Sequence, residues 1–171
     1  MGSRSTRRGL AALIAVASLA GAGVSAARTT VSRTSNTKTI TATAVTRTFS
    51  FVGAPNSKTV TIVNIDSLTI NARCDGAGSP IVFAFTSAPA ADLFGRIFDG
   101  LGRIHIVRQS AFTKRSKGVA LYPSGGDYDT TATLAFETST GAVVKLDYAL
   151  DNSTTLNHQR LCTAYGSYIA S

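Results

Sequence analysis

Two histidines, one glutamate and no tryptophan limit the chemistry open to this chain. A Ser-His-Asp hydrolase needs His105 or His158 as its base. Neither lies in a nucleophile motif such as GxSxG. His158 belongs to the polar run Asn157-His158-Gln159, which reads as a solvated loop. Glycoside hydrolysis needs paired carboxylates; the sole glutamate is Glu137, and spacing singles out no aspartate pair. A zinc site needs three or four good ligands, which two dispersed histidines and two distant cysteines do not supply. Gly125-Gly126-Asp127-Tyr128-Asp129 puts two carboxylates on one side of a loop, as a calcium site would. It lacks the third acid and the bidentate glutamate of a calcium loop, and it reads instead as a Gly/Asp-rich turn. The sequence therefore assigns no catalytic residue, no metal ligand and no cofactor.

The best binding candidate is Arg96, Arg103 and His105, flanked by Phe94 and Phe98. Arginine forks hydrogen-bond anions, and aromatic faces stack on sugars or bases. Asp99-Gly100 is a turn dipeptide between Leu93–Phe98 and Arg103–Arg108. A hairpin there, with Ile97, Ile104 and Ile106 toward the core, gathers all five candidates on the opposite face. The competing reading packs both phenylalanines into the core and lets the arginines snorkel to the rim. A second alternative makes 89–100 a short helix that opens near Pro89 and stops at Gly100. Gly95 in its middle weakens that helix by ~1 kcal/mol.

The elements that must position these residues read as β throughout. From Thr39 onward, short runs rich in Thr, Val, Ile and aromatics alternate with Gly, Pro, Asn, Asp and Ser clusters. The spacing predicts strands at 39–46, 48–52, 58–64, 68–74, 81–86, 93–98, 103–108, 118–122, 131–138, 142–150 and 161–169. That is a single antiparallel β-sandwich of roughly nine to eleven short strands. One hairpin can be read to its register. Ala132, Leu134 and Phe136 can share a face with Val144, Leu146, Tyr148 and Leu150 only if opposing residue numbers sum to an even value. A three-residue loop, Ser139-Thr140-Gly141, satisfies this and puts glycine where a left-handed residue is needed. Phe136 then opposes Val144, Leu134 opposes Leu146 and Ala132 opposes Tyr148, while Glu137, Lys145 and Asp147 point to solvent.

The first 27 residues read as an export leader. Arg4, Arg7 and Arg8 precede the apolar run Leu10–Ala22, and Val24-Ser25-Ala26 offers a small-x-small cleavage pattern. Cleavage is expected near Ala26 or Ala27. The apolar run is too short for a membrane span of ~20 residues, and no later stretch is long enough to anchor the mature chain. Thr6-Arg7-Arg8-Gly9-Leu10 fits a twin-arginine signal as well as an ordinary secretory one.

Losing three arginines lowers the formal charge from +8 to +5. The remaining excess lies in Arg28, Arg33, Lys38, Arg47 and Lys58, all ahead of the first acid, Asp66. Residues 28–38 are Thr/Ser-rich, basic and poor in large apolar groups, which predicts a flexible arm ahead of a domain at 39–171. Such an arm would draw an anionic envelope polymer or glycan at low salt, or simply stay solvated. No basic-aromatic motif points to nucleic acid.

Cys74 and Cys162 are the only cysteines. An even count in an exported chain predicts a disulfide, valued at roughly 4 kcal/mol by loop-closure entropy. Leu68-Thr69-Ile70-Asn71-Ala72-Arg73-Cys74 and Leu161-Cys162-Thr163-Ala164-Tyr165-Gly166 resemble a pattern in exported all-β proteins of high-GC Gram-positive bacteria. The resemblance spans roughly residues 58–171. It implies a secreted β domain with Cys74 paired to Cys162, and carries over no activity. The expected function is a non-catalytic extracellular or cell-envelope domain with a binding or structural role. The alternative is a secreted hydrolase with an Asp/His site.

Overall fold

The computed structural model describes residues 27–35, 38–123, 129–153, 155–156 and 159–171. Residues 1–26 of the expected leader, Asp127 and His158 lie outside them. Thirteen strands account for the architecture: β1 Ala27–Ser35, β2 Lys38–Gly53, β3 Val60–Ile65, β4 Leu68–Cys74, β5 Pro80–Thr86, β6 Ala91–Phe98, β7 Ile104–Phe112, β8 Val119–Ala120, β9 Thr130–Thr138, β10 Val143–Asp151, β11 Thr155–Leu156, β12 Gln159–Arg160 and β13 Cys162–Ala170. Seven form one antiparallel sheet in the order β1-β2-β13-β10-β9-β6-β7. Four form a second in the order β3-β4-β5-β8, and β11 and β12 pair separately. Within 89–100 the chain is therefore strand, Ala91–Phe98, and not helix. No helix among the described residues is long and apolar enough to cross a membrane.

The two large sheets pack face to face, and the central strands of the larger one alternate buried with exposed residues. Along β6, Ala91, Leu93, Gly95 and Ile97 are buried while Asp92, Phe94, Arg96 and Phe98 are exposed. The same period of two buries Leu134, Phe136, Leu146, Leu150 and Ala164 from the large sheet against Val63, Leu68, Ile70 and Val82 from the small one. Gly95 is forced by this packing. A Cβ there would strike the Leu134 side chain and the Thr133 carbonyl. Tyr148 and Tyr168 are both buried in this layer, and the Tyr148 hydroxyl donates to the Leu121 carbonyl at 2.7 Å. That bond crosses the sandwich and contributes about 1 kcal/mol. Burial also pushes the Tyr148 phenol well above its ordinary pKa.

The β9–β10 hairpin has the predicted register: Phe136 faces Val144, Leu134 faces Leu146 and Ala132 faces Tyr148. Gly141 has φ +89°, and Gly141 N–H and Thr138 N–H close the loop onto the Thr138 and Ala142 carbonyls. Of the segment 28–38, expected as a flexible arm, residues 28–35 lie in β1, which pairs along the first half of β2. Threonine and valine favour the extended backbone. The second half of β2 pairs with β13, so the expected strands 39–46 and 48–52 are one.

Cys74 and Cys162 form the expected disulfide, with Cα atoms 5.8 Å apart. It joins the end of β4 in the small sheet to the start of β13 in the large one. Gly53 lies opposite Cys162, and a Cβ there would come within 2.6 Å of Cys74 Sγ.

Two outcomes check this architecture. Deleting Thr140 shortens the loop and throws every core residue of β10 to the wrong face, so the variant should show no cooperative thermal transition; retention of the parent melting temperature would refute the register. Replacing both cysteines with alanine should cost roughly 4 kcal/mol in chemical denaturation, and a loss below ~1 kcal/mol would show that the bridge constrains little.

Candidate functional site

Cross-strand register arranges the solvent face of the seven-stranded sheet into rows. Opposing residues in an antiparallel pair share a face. One row therefore runs Ile104, Phe98, Thr131, Ala149, Tyr165 and Ser50 across six strands. The next runs Ile106, Arg96, Thr133, Asp147, Ser167 and Thr48, and a third holds Arg108, Phe94, Ala135, Lys145 and Ile169.

In the first row, Phe98 is 40% exposed and Tyr165 53% exposed. They stand three strand steps apart, ~14 Å at the usual inter-strand spacing. Only Thr131 and Ala149 separate them, and both are small. The result is an open trough of about 670 Å³, with Phe98 at one end, Tyr165 at the other, and Thr133, Asp147, Ser167 and Thr48 along its side. Every one of these residues sits on a strand whose alternate residues are core. The floor is thus as rigid as the sandwich.

The five predicted binding residues do not stay together. Phe94, Arg96 and Phe98 share the solvent face, as expected. Arg103 and His105 leave it. The β6–β7 connection is a three-residue loop, Gly100-Leu101-Gly102, closed by Asp99 N–H to Arg103 carbonyl and Gly102 N–H to Asp99 carbonyl. Gly102 has φ +77°. The loop therefore repeats the Ser139-Thr140-Gly141 geometry, and it pairs Phe98 with Ile104 and Ile97 with His105. Ile104 and Ile106, expected in the core, are turned to solvent at 56% and 58% exposure. His105 takes the side of Ile97 instead.

Asp99 is the reason His105 and Arg103 converge. Its side chain is fully buried. Oδ1 accepts from Leu101 N–H at 3.1 Å and Arg103 N–H at 2.8 Å. Oδ2 accepts from Arg103 Nε at 2.6 Å and lies 2.9 Å from His105 Nε2. The His105 hydrogen bond chiefly, then the Arg103 backbone and guanidinium, hold the carboxyl well below the usual carboxylate range, against the opposing effect of burial. An Asp/His hydrolase would use such a contact to orient its base. Here the carboxylate is committed to the loop backbone, and the cluster ties the hairpin.

Glu137 faces solvent, as its register requires, and lies directly opposite Asp92. The two carboxylates border a shallow depression with Ala111, Ser139 and Gly141. Among the described residues no group of three or more His, Cys, Asp or Glu side chains is placed to hold a metal ion.

Sequence reasoning missed Tyr165. Its signal was present: Cys162, Ala164 and Tyr168 fix the buried phase of β13, which leaves Tyr165 on the solvent phase with Thr163 and Ser167. The strand's phase thus leaves an aromatic on the solvent face, in one cross-strand row with Phe98.

No family model, curated protein or solved structure matches this chain.

The Asp99 cluster has a pH signature. A carboxyl held below its unfolded pKa stabilises the fold at pH above the ordinary Asp range, and that contribution drains away as acid titrates it. Asp99→Asn should melt below the parent at neutral pH, with the gap narrowing steadily from about pH 5 downward. A gap that stays constant down to pH 2 in thermal melts would contradict the assignment.

Proposed function

We propose that this domain is an exported, non-catalytic binding module of the extracellular space or cell envelope, and that the solvent face of its seven-stranded sheet holds a glycan chain. The single observation carrying this reading is the trough between Phe98 and Tyr165. Aromatic faces pack against the apolar C–H faces of sugar rings. Hydroxyl and carboxylate groups take the sugar hydroxyls, and Thr133, Asp147 and Ser167 form a continuous polar row beside the aromatic one. Small side chains between the aromatics leave room for the intervening sugar units. The shallow, open shape suits an extended polymer that enters and leaves at both ends.

Other features agree with this reading. The leader predicts export, and a disulfide persists in the oxidising compartments that export reaches. Binding on rigid strands spares the ligand the cost of ordering loops. The expected partners, an anionic envelope polymer or a glycan, are thereby referred to one face of the sheet rather than to a basic arm.

The test is an array of neutral and charged oligosaccharides followed by titration calorimetry. Phe98→Ala and Tyr165→Ala should each weaken binding about tenfold, the loss of a stacking contact worth ~1.4 kcal/mol. Val52→Ala, on the same face of β2 but outside the trough, should bind like the parent. Equal affinity in all three variants would refute the site, and turnover of any oligosaccharide would refute the non-catalytic reading.

A further inference from the structure

Next to the trough, Phe94, Arg96 and Lys145 line a second open depression of about 420 Å³. The two are continuous, because Phe98 and Thr133 border both. Register explains its shape. Phe94 and Lys145 belong to one row and are separated only by Ala135. Arg96 stands in the neighbouring row, two residues along β6 from Phe94. Arg108 lies opposite Phe94 on β7. A small residue thus sits between long ones, with three cations around a phenylalanine that is half exposed.

Among the described residues, none of the three side chains has an ion-pair partner. The ion pairs of Asp99 go to Arg103 and His105, away from this depression. Asp147, two residues from Lys145 on the same face of β10, forms no ion pair with it and borders the trough instead. Charge on this face is therefore divided. The trough carries the carboxylate, and the depression beside it carries unpaired cations.

We infer that the glycan is acidic, with a carboxylate, sulfate or phosphate group seated between Arg96 and Lys145 while its sugar rings lie along Phe98 and Tyr165. This rests on the glycan reading of the trough and adds to it the chemical class of the ligand. The argument is one of complementarity. An arginine fork takes two oxygens of an oxyanion, and lysine adds a point charge from the other side. Both approach over Ala135, where no bulky side chain fills the floor. The ring of Phe94 presents apolar surface to the sugar that carries the anion. Asp147, displaced into the trough, repels a second charge there and accepts from sugar hydroxyls. The site thus favours a polymer whose charged groups are spaced by neutral ring surface over one charged on every face.

Titration calorimetry of the full mature chain separates the possibilities with three probes: an oligogalacturonate hexamer, its carboxyl-reduced neutral counterpart, and a heparin hexasaccharide. At least one acidic probe should bind tenfold or more tightly than the neutral hexamer at 50 mM salt, and the advantage should shrink at 300 mM. The Arg96→Ala/Lys145→Ala double variant should lose that advantage yet keep the parent affinity for the neutral hexamer. Tyr165→Ala should weaken charged and neutral probes by the same factor. Preference for the galacturonate assigns the anion to a carboxylate, and preference for heparin assigns it to a sulfate. If the neutral hexamer binds through Tyr165 as well as either acidic probe does, the acidic assignment is overturned and the glycan site stands. An acidic preference that survives in the double variant overturns the assignment in the same way. If acidic probes bind but Tyr165→Ala leaves them untouched, or if none of the three binds, both the glycan site and its acidic assignment fall.

Discussion

Everything on the solvent face follows from the parity of two hairpin loops. A strand alternates its side chains with a period of two, so one residue more or less in a loop exchanges the buried and exposed sets of the strand that follows. Three-residue loops at Gly100–Gly102 and Ser139–Gly141 make opposing numbers sum to an even value. The β3–β4 turn, with Asp66 and Ser67 both at positive φ, is a two-residue loop and makes an odd one. The left-handed glycine that closes each three-residue loop is a backbone requirement, not a packing preference. Phe94, Arg96, Phe98 and Lys145 meet the same solvent because Gly102 and Gly141 allow those loops to close.

This also explains what was legible in the sequence. Between 131 and 150 the apolar letters are unambiguous on both strands, so only one loop length keeps them together, and Gly141 agrees. Between 93 and 108 the letters mislead. Ile104 and Ile106 look like core on hydrophobicity alone, while Val107 looks no different, and Asp99-Gly100 draws attention to the start of the loop. The deciding residue was Gly102 at its third position. With Gly102 recognised, Ile97 opposes His105, and isoleucines at 104 and 106 must be exposed. Apolar character is a weaker guide at a sheet edge than in its middle, because β7 has a neighbour on one side only.

Long-range contacts were legible only where chemistry named both partners. The cysteines did so for Cys74 and Cys162. No such label connects Phe98 with Tyr165, because the neighbour relation passes through Thr131 and Ala149 on two intermediate strands. Nor did anything local show that Asp99 would spend its carboxylate on Arg103 and His105. The Thr/Ser-rich segment ahead of β2 illustrates the opposite limit. Its composition argued against a core, and pairing with β2 is made through backbone hydrogen bonds, which composition does not name.

One consequence of the alternation along β6, β9, β10 and β13 concerns how such a surface can change. Residues that hold the sandwich together and residues that meet solvent are interleaved in the same strands but project from opposite faces. Substituting Leu134 disturbs the core; substituting its neighbours Thr133 or Ala135 disturbs little but the face they project from. The outer face is therefore free to drift while the scaffold stays under selection. A lineage built on this fold could exchange one ligand for another by replacing a few odd-numbered residues of β9, β10 and β13, with no renegotiation of stability.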